Sequence, residues 1–206
     1  MPSAWPRPCA PVPAGCKRAQ KRTEGQRMER NITLIALFAA LIAALGLVPS
    51  FMLASGVPIS AQSMGVMLAG TILGARRGAL AVLLVLFLVA LGLPLLAGGR
   101  AGLGVFAGPT MGFLVGWPVA AFVTGWLAGR WRDGTPVVMP AIAAFIGGVI
   151  VLYAFGIGGF AIIADKTLLQ SAAVMGVYVP GDIVKAVLTG FITEGVLRAR
   201  PGLARG

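Results

Sequence analysis

Six long apolar runs, at residues 32–48, 60–73, 79–97, 105–129, 137–164 and 174–196, leave this chain little choice of architecture. Each run is continuous rather than alternating, and each is longer than the roughly 10 residues of a membrane barrel strand. The expectation is an all-α, polytopic membrane protein: six transmembrane helices in one bundle. Run 60–73 is short for a hydrocarbon core that takes about 20 helical residues, so it should extend back toward Val57 or sit where the bilayer thins. With 58% hydrophobic and 11% charged residues, and a mean hydropathy of +0.92, the chain lies outside the range of soluble domains of its size.

Residues 1–27 differ from the rest. They hold five prolines, both cysteines and six of the 17 basic residues, a composition expected to be disordered, ahead of a membrane domain at 28–206. No small-residue cleavage site follows the first apolar stretch, so a secretory signal is not expected. Met28 leads through Glu29, Arg30 and Asn31 directly into the first run, and translation starting there would explain residues 1–27 as an over-long gene start. Cys9 and Cys16 fall in this segment, and in a chain without histidine they make no zinc site. No metal and no cofactor is expected.

Basic residues cluster before the first run, at Arg76 and Arg77, at Arg130 and Arg132, and at Arg198, Arg200 and Arg205. The positive-inside rule then places both termini in the cytoplasm and the connections after helices 1, 3 and 5 outside. The net charge of +11 is spread along one membrane face rather than gathered in an aromatic-rich patch, so nucleic acid is not an expected partner.

Polar residues inside such runs need a reason. Asp182 and Lys185 stand three apart in the sixth run. Ionisable groups at a helix centre cost about 2.5–3.5 kcal/mol each, so they mark a ligand or ion site unless they serve only to neutralise each other. Pro180, beside them, is expected to kink the helix. Arg100 lies in a glycine-rich connection after the third run; it is either a headgroup anchor or part of a re-entrant binding loop. Ser60, Gln62 and Ser63 open the second run. Ser60 could cap that helix, whereas the amide of Gln62 needs partners from another helix or from a ligand. The topology gathers Gln62, Arg100, Asp182 and Lys185 on the outer side. A pocket there, with two cations, a carboxylate and an amide between apolar walls, suits a small anionic amphiphile.

Val57-Pro-Ile-Ser-Ala-Gln62 with Gly65 to Gly74, the loop from Gly92-Leu-Pro94 to Gly104, Gly108-Pro-Thr-Met-Gly112, and Pro180-Gly-Asp-Ile-Val-Lys185 together resemble the BioY family, the biotin-binding S-components of energy-coupling-factor transporters. The likeness covers residues 29–200. The family usually has threonine where Ser60 stands, a change that keeps the hydroxyl. The resemblance implies a six-helix subunit of the cell membrane that takes up biotin from outside with high affinity, with Arg100, Asp182 and Lys185 as ligand-binding residues; Gln62 and Ser60 join them as candidate ligand-binding residues on the reading of the outer pocket. It also implies partners: a transmembrane coupling protein and cytoplasmic ATPase subunits. The chain itself has no Gly-x-x-x-x-Gly-Lys-Ser/Thr loop with which to hydrolyse ATP.

Ala36, Ala40 and Ala44 form a small-residue stripe on helix 1 that suits either partner docking or packing within the bundle. Gly104, Gly108, Gly112 and Gly116 form another at four-residue spacing, for which bundle packing and a homodimer face are the two destinations. An enzyme is not expected, since histidine, a Gly-x-Ser-x-Gly turn and paired carboxylates within a span are all missing. The remaining alternatives are a carrier or S-component for another small anionic vitamin, and a scaffold subunit that would have no use for Arg100.

Overall fold

The computed structural model describes residues 14–52, 57–131 and 135–200; Cys9, Arg132 and Arg205 lie outside them. Among the described residues eight α-helices follow one another: α1 (Ala14–Gly46), α2 (Gln62–Leu73), α3 (Ala75–Ala90), α4 (Met111–Arg130), α5 (Val138–Phe145), α6 (Leu152–Ile163), α7 (Leu168–Gly176) and α8 (Val179–Ala199). A π-helical segment, Ile146–Val151, joins α5 to α6 without a break, and a 3-10 turn, Leu103–Ala107, precedes α4. A two-residue antiparallel ribbon pairs Phe51–Met52 (β1) with Pro58–Ile59 (β2).

The chain divides into two units, Met1–Thr33 and Leu34–Gly206. In the first, the described helix begins at Ala14. All five prolines of the segment precede Ala14, and the Lys, Arg, Gln and Ala residues after it are good helix formers. The second unit holds the bundle.

Among the described residues three helical stretches are long and apolar enough to cross a membrane, Met28–Gly46, Met111–Arg130 and Val138–Ile163; α7 with α8 makes a fourth if that bent pair is one span. With 12 and 16 residues, α2 and α3 rise only about 18 and 24 Å at 1.5 Å per residue. Large apolar side chains face outward, among them Leu80, Phe87, Phe122, Trp126, Ile162 and Phe191, while Thr124, Thr189 and Thr193 are fully buried. That arrangement suits a lipid-facing exterior and an interior glued by small polar groups.

Helix boundaries differ from the apolar runs where glycine and proline intervene. The third run extends to 97, but α3 stops at Ala90, because Gly92 adopts φ +100 and Pro94 follows. The fourth run starts at 105, but Gly108 and Pro109 delay α4 to Met111. The expected four-glycine stripe is therefore split: Gly104 and Gly108 precede the helix, while Gly112 and Gly116 lie against Phe155, Gly159 and Leu152 of α6, inside the bundle. The sixth run is broken rather than kinked, with α7 and α8 meeting at 60°. Pro180 sits in the first turn of α8, where its missing N–H costs nothing. A capping box between Thr167 and Gln170 starts α7. No side chain caps α2, whose N-cap position is Ala61, so Ser60 does not have the capping role.

These boundaries fix where the polar residues meet. The starts of α2, α4 and α8 and the loop after α3 share one cavity, lined by Gln62, Thr110, Asp182 and Ala97. The opposite ends of α2, α4 and α8 share a second, lined by Gly74, Gly129 and Arg198.

Candidate functional site

Every residue singled out for the site, namely Ser60, Gln62, Arg100, Asp182 and Lys185, lines the first cavity. Asp182 lies in the first turn of α8, where the helix dipole favours a carboxylate. Its Oδ1 accepts from Lys185 Nζ at 2.7 Å and from Ser63 Oγ at 3.3 Å; its Oδ2 accepts from Tyr153 Oη at 2.7 Å. Three donors on about four lone-pair sites leave Asp182 room for one more.

Lys185 has no such room. Besides Asp182, its Nζ donates to the Ser60 carbonyl at 2.7 Å and to Ser63 Oγ at 3.1 Å, which uses all three of its N–H groups. Ser60 thus takes part through its backbone carbonyl. The amide of Gln62 is 1% exposed and is taken up by backbone: Nε2 donates to Ile42 O at 3.3 Å and Leu95 O at 2.9 Å, and Oε1 accepts from Ala97 N at 2.9 Å.

Arg100 is different. A tight turn, with Gly98 and Gly99 at φ +78 and +70, brings Leu96 N onto Arg100 O at 3.3 Å and turns the guanidinium inward. Only glycine adopts two such successive conformations at low cost. Arg100 Nε donates to Ala97 O at 3.2 Å and one terminal nitrogen donates to Thr110 Oγ1 at 3.2 Å. Burial pulls its affinity for the proton below the usual value, although arginine remains charged. Among the described residues no carboxylate pairs with it; the two ion pairs are Lys185 with Asp182 and Arg198 with Glu194. Arg100, Lys185 and Asp182 sum to one uncompensated positive charge, and it sits on Arg100.

The walls come from residues that polarity alone did not single out. Phe113, Leu114, Trp117, Leu152 and Tyr153 form the apolar side. Phe113 and Tyr153 meet edge to face, with centroids 5.8 Å apart. The chain has two tyrosines and both line this cavity, Tyr178 donating to Val57 O at 2.8 Å. A phenol inside an apolar run needs a hydrogen-bond partner, so the rarity of tyrosine was a readable signal. Ser63 shares with Ser60 and Gln62 its place at the opening of the second run, whereas Thr110 carried no signal that distinguished it from other small polar residues.

Comparison with known proteins gives one consistent result. The BioY family model matches residues 18–202. The chain is 54% identical to the "Biotin transporter BioY" of Rhodobacter capsulatus, over 87% of this chain and all of that protein. It is 42% identical to the "Probable biotin transporter BioY" of Bacillus subtilis, over 80% of this chain and 89% of that one. Among solved structures it is similar to the S-component for biotin from an ECF-type ABC transporter, with a TM-score of 0.80 at 30% identity, covering 84% of this chain and 93% of that one.

Proposed function

The chain belongs to the BioY family, and on that premise we propose that it is the biotin-capturing membrane subunit of an energy-coupling-factor transporter. The observation that carries the ligand assignment is Arg100: a half-buried guanidinium, facing a cavity, with no carboxylate partner among the described residues. A ligand carboxylate satisfies it with charge-assisted hydrogen bonds. Biotin brings that carboxylate on its valerate chain, an apolar thioether ring for the wall of Phe113, Trp117 and Tyr153, and ureido N–H donors for the remaining acceptor site of Asp182. Lys185 then serves to orient Asp182 rather than to grip the carboxylate.

The protein is not an enzyme in this reading, and energy comes from partners: a transmembrane coupling protein and cytoplasmic ATPases. Six helices cross or enter the membrane, α2 and α3 as short ones, with α7 and α8 as one broken span. Both termini are cytoplasmic, in keeping with Arg76, Arg77, Arg130 and Arg198 falling at the chain positions of the end away from the site. Ala36, Ala40 and Ala44 are exposed on α1, while the neighbouring Ala39 is buried, which supports the outer stripe as a docking face.

Equilibrium binding of biotin to the detergent-purified chain tests the assignment. Loss of a charge-assisted bond is worth about 1.5–3 kcal/mol, so Arg100→Ala should bind biotin roughly 10- to 150-fold more weakly while melting at the same temperature as wild type. Asp182→Ala should also bind weakly. Unaltered affinity in Arg100→Ala would remove Arg100 from the site, and a folded wild type that ignores biotin would remove the ligand.

A further inference from the structure

We propose that Gln62 is a positioning residue, whose amide sets where Arg100 stands and does not itself hold the ligand. This rests on the reading of the cavity as a biotin site. Both N–H groups of Gln62 are spent on Ile42 O and Leu95 O, and its oxygen accepts from Ala97 N. Ala97 is thereby held on one side by Gln62, and on its other side its carbonyl accepts from Arg100 Nε. Amide, Ala97 and guanidinium make a continuous relay from the start of α2 to the charged tip.

The loop needs such a restraint. Gly98, Gly99 and Gly102 all adopt positive φ, and glycines leave the unbound loop many alternatives of similar energy. Leu96 and Ala97 are each 1% exposed, so the relay works in a dry setting where an unmade hydrogen bond is costly. The end of α1 closes it from the other side: a Cβ at Gly46 would run into Leu95 O and Gln62 Nε2. Recognition of a carboxylate demands placement of the guanidinium within about 0.5 Å, which a supporting shell has to supply.

The test compares biotin with its carboxamide, which lacks the carboxylate charge. Gln62→Met fills a similar volume without the three bonds, and Gly46→Ala presses on the same loop from α1 without being part of the cavity lining. Binding of both ligands is measured for wild type, each variant, Arg100→Ala and the double variant of Gln62→Met with Arg100→Ala, together with hydrogen exchange of residues 93–102 in the ligand-free protein. The expected result is about tenfold weaker biotin binding in Gln62→Met and in Gly46→Ala, with the carboxamide changing less than about threefold. Adding Gln62→Met to Arg100→Ala should bring no further loss, and exchange of 93–102 should quicken. Equal losses for both ligands, multiplying losses in the double variant, or unaltered exchange would each overturn the proposal. A wild type that binds neither ligand sinks the biotin reading instead, and the exchange of 93–102 still decides the relay.

Discussion

Arg100 and Lys185 carry the same charge in one cavity, yet their surroundings give them different work. Lys185 has spent every donor on Asp182, Ser60 and Ser63, whereas Arg100 keeps a guanidinium edge without an anionic partner. Removing one member of a buried ion pair leaves the other uncompensated, at a cost of about 3–5 kcal/mol. Lys185→Ala should therefore lower the melting temperature in detergent, and adding Asp182→Asn should recover part of the loss. A double variant less stable than Lys185→Ala would contradict that account. For Arg100 the residues left a headgroup anchor and a binding loop both open; the Asp182–Lys185 pair was legible in the sequence because charges are scarce in apolar runs. The partners of Gln62 were not: burial said that its amide needs partners, but Ile42 and Leu95 are 20 and 33 residues away.

At the scale of helices, glycine decides how closely backbones approach. Gly112 of α4 faces Phe155 O and Gly159, and Gly156 of α6 faces the ring of Phe113, so neither position has room for a side chain. Overpacking costs about 1–3 kcal/mol where neighbours can shift, and more against backbone. Gly112→Val should destabilise the bundle by at least that much and, because Phe113 and Tyr153 are wall residues, should also weaken biotin binding. A thermal melt alongside a binding isotherm checks both effects. The apolar runs made the helices readable, but their ends followed local chemistry at Gly92, Pro94, Gly108 and Pro109. The break between α7 and α8 puts Asp182 at a helix start, a dipole-favoured place that a single long apolar run concealed.

For the whole molecule, the expected orientation can be read with a chemical label. In a variant lacking Cys9 and Cys16, Leu103→Cys should react with a membrane-impermeant maleimide added to intact cells, since Leu103 is 72% exposed in the connection between α3 and α4. Labelling only after lysis would reverse the orientation. The exposed face of α1 permits a second test. Ala36→Leu with Ala40→Leu should reduce copurification of the coupling protein and ATPases while leaving biotin affinity in detergent unchanged, because neither residue lines the cavity. If affinity fell with assembly intact, the stripe would belong to the bundle instead.

The sequence by itself determined the helical membrane class and the short list of polar residues, because an apolar solvent makes every charge and amide expensive and therefore conspicuous. Its motifs also pointed to the family. Tertiary structure decided the division of labour among those residues. Which cation is spent and which is free, whether an amide meets a ligand or a loop, and which tyrosines complete the wall all depend on hydrogen bonds between segments far apart in the chain. Hydrophobic periodicity carries no record of such partners, since it reports where a side chain is buried and not what it meets there.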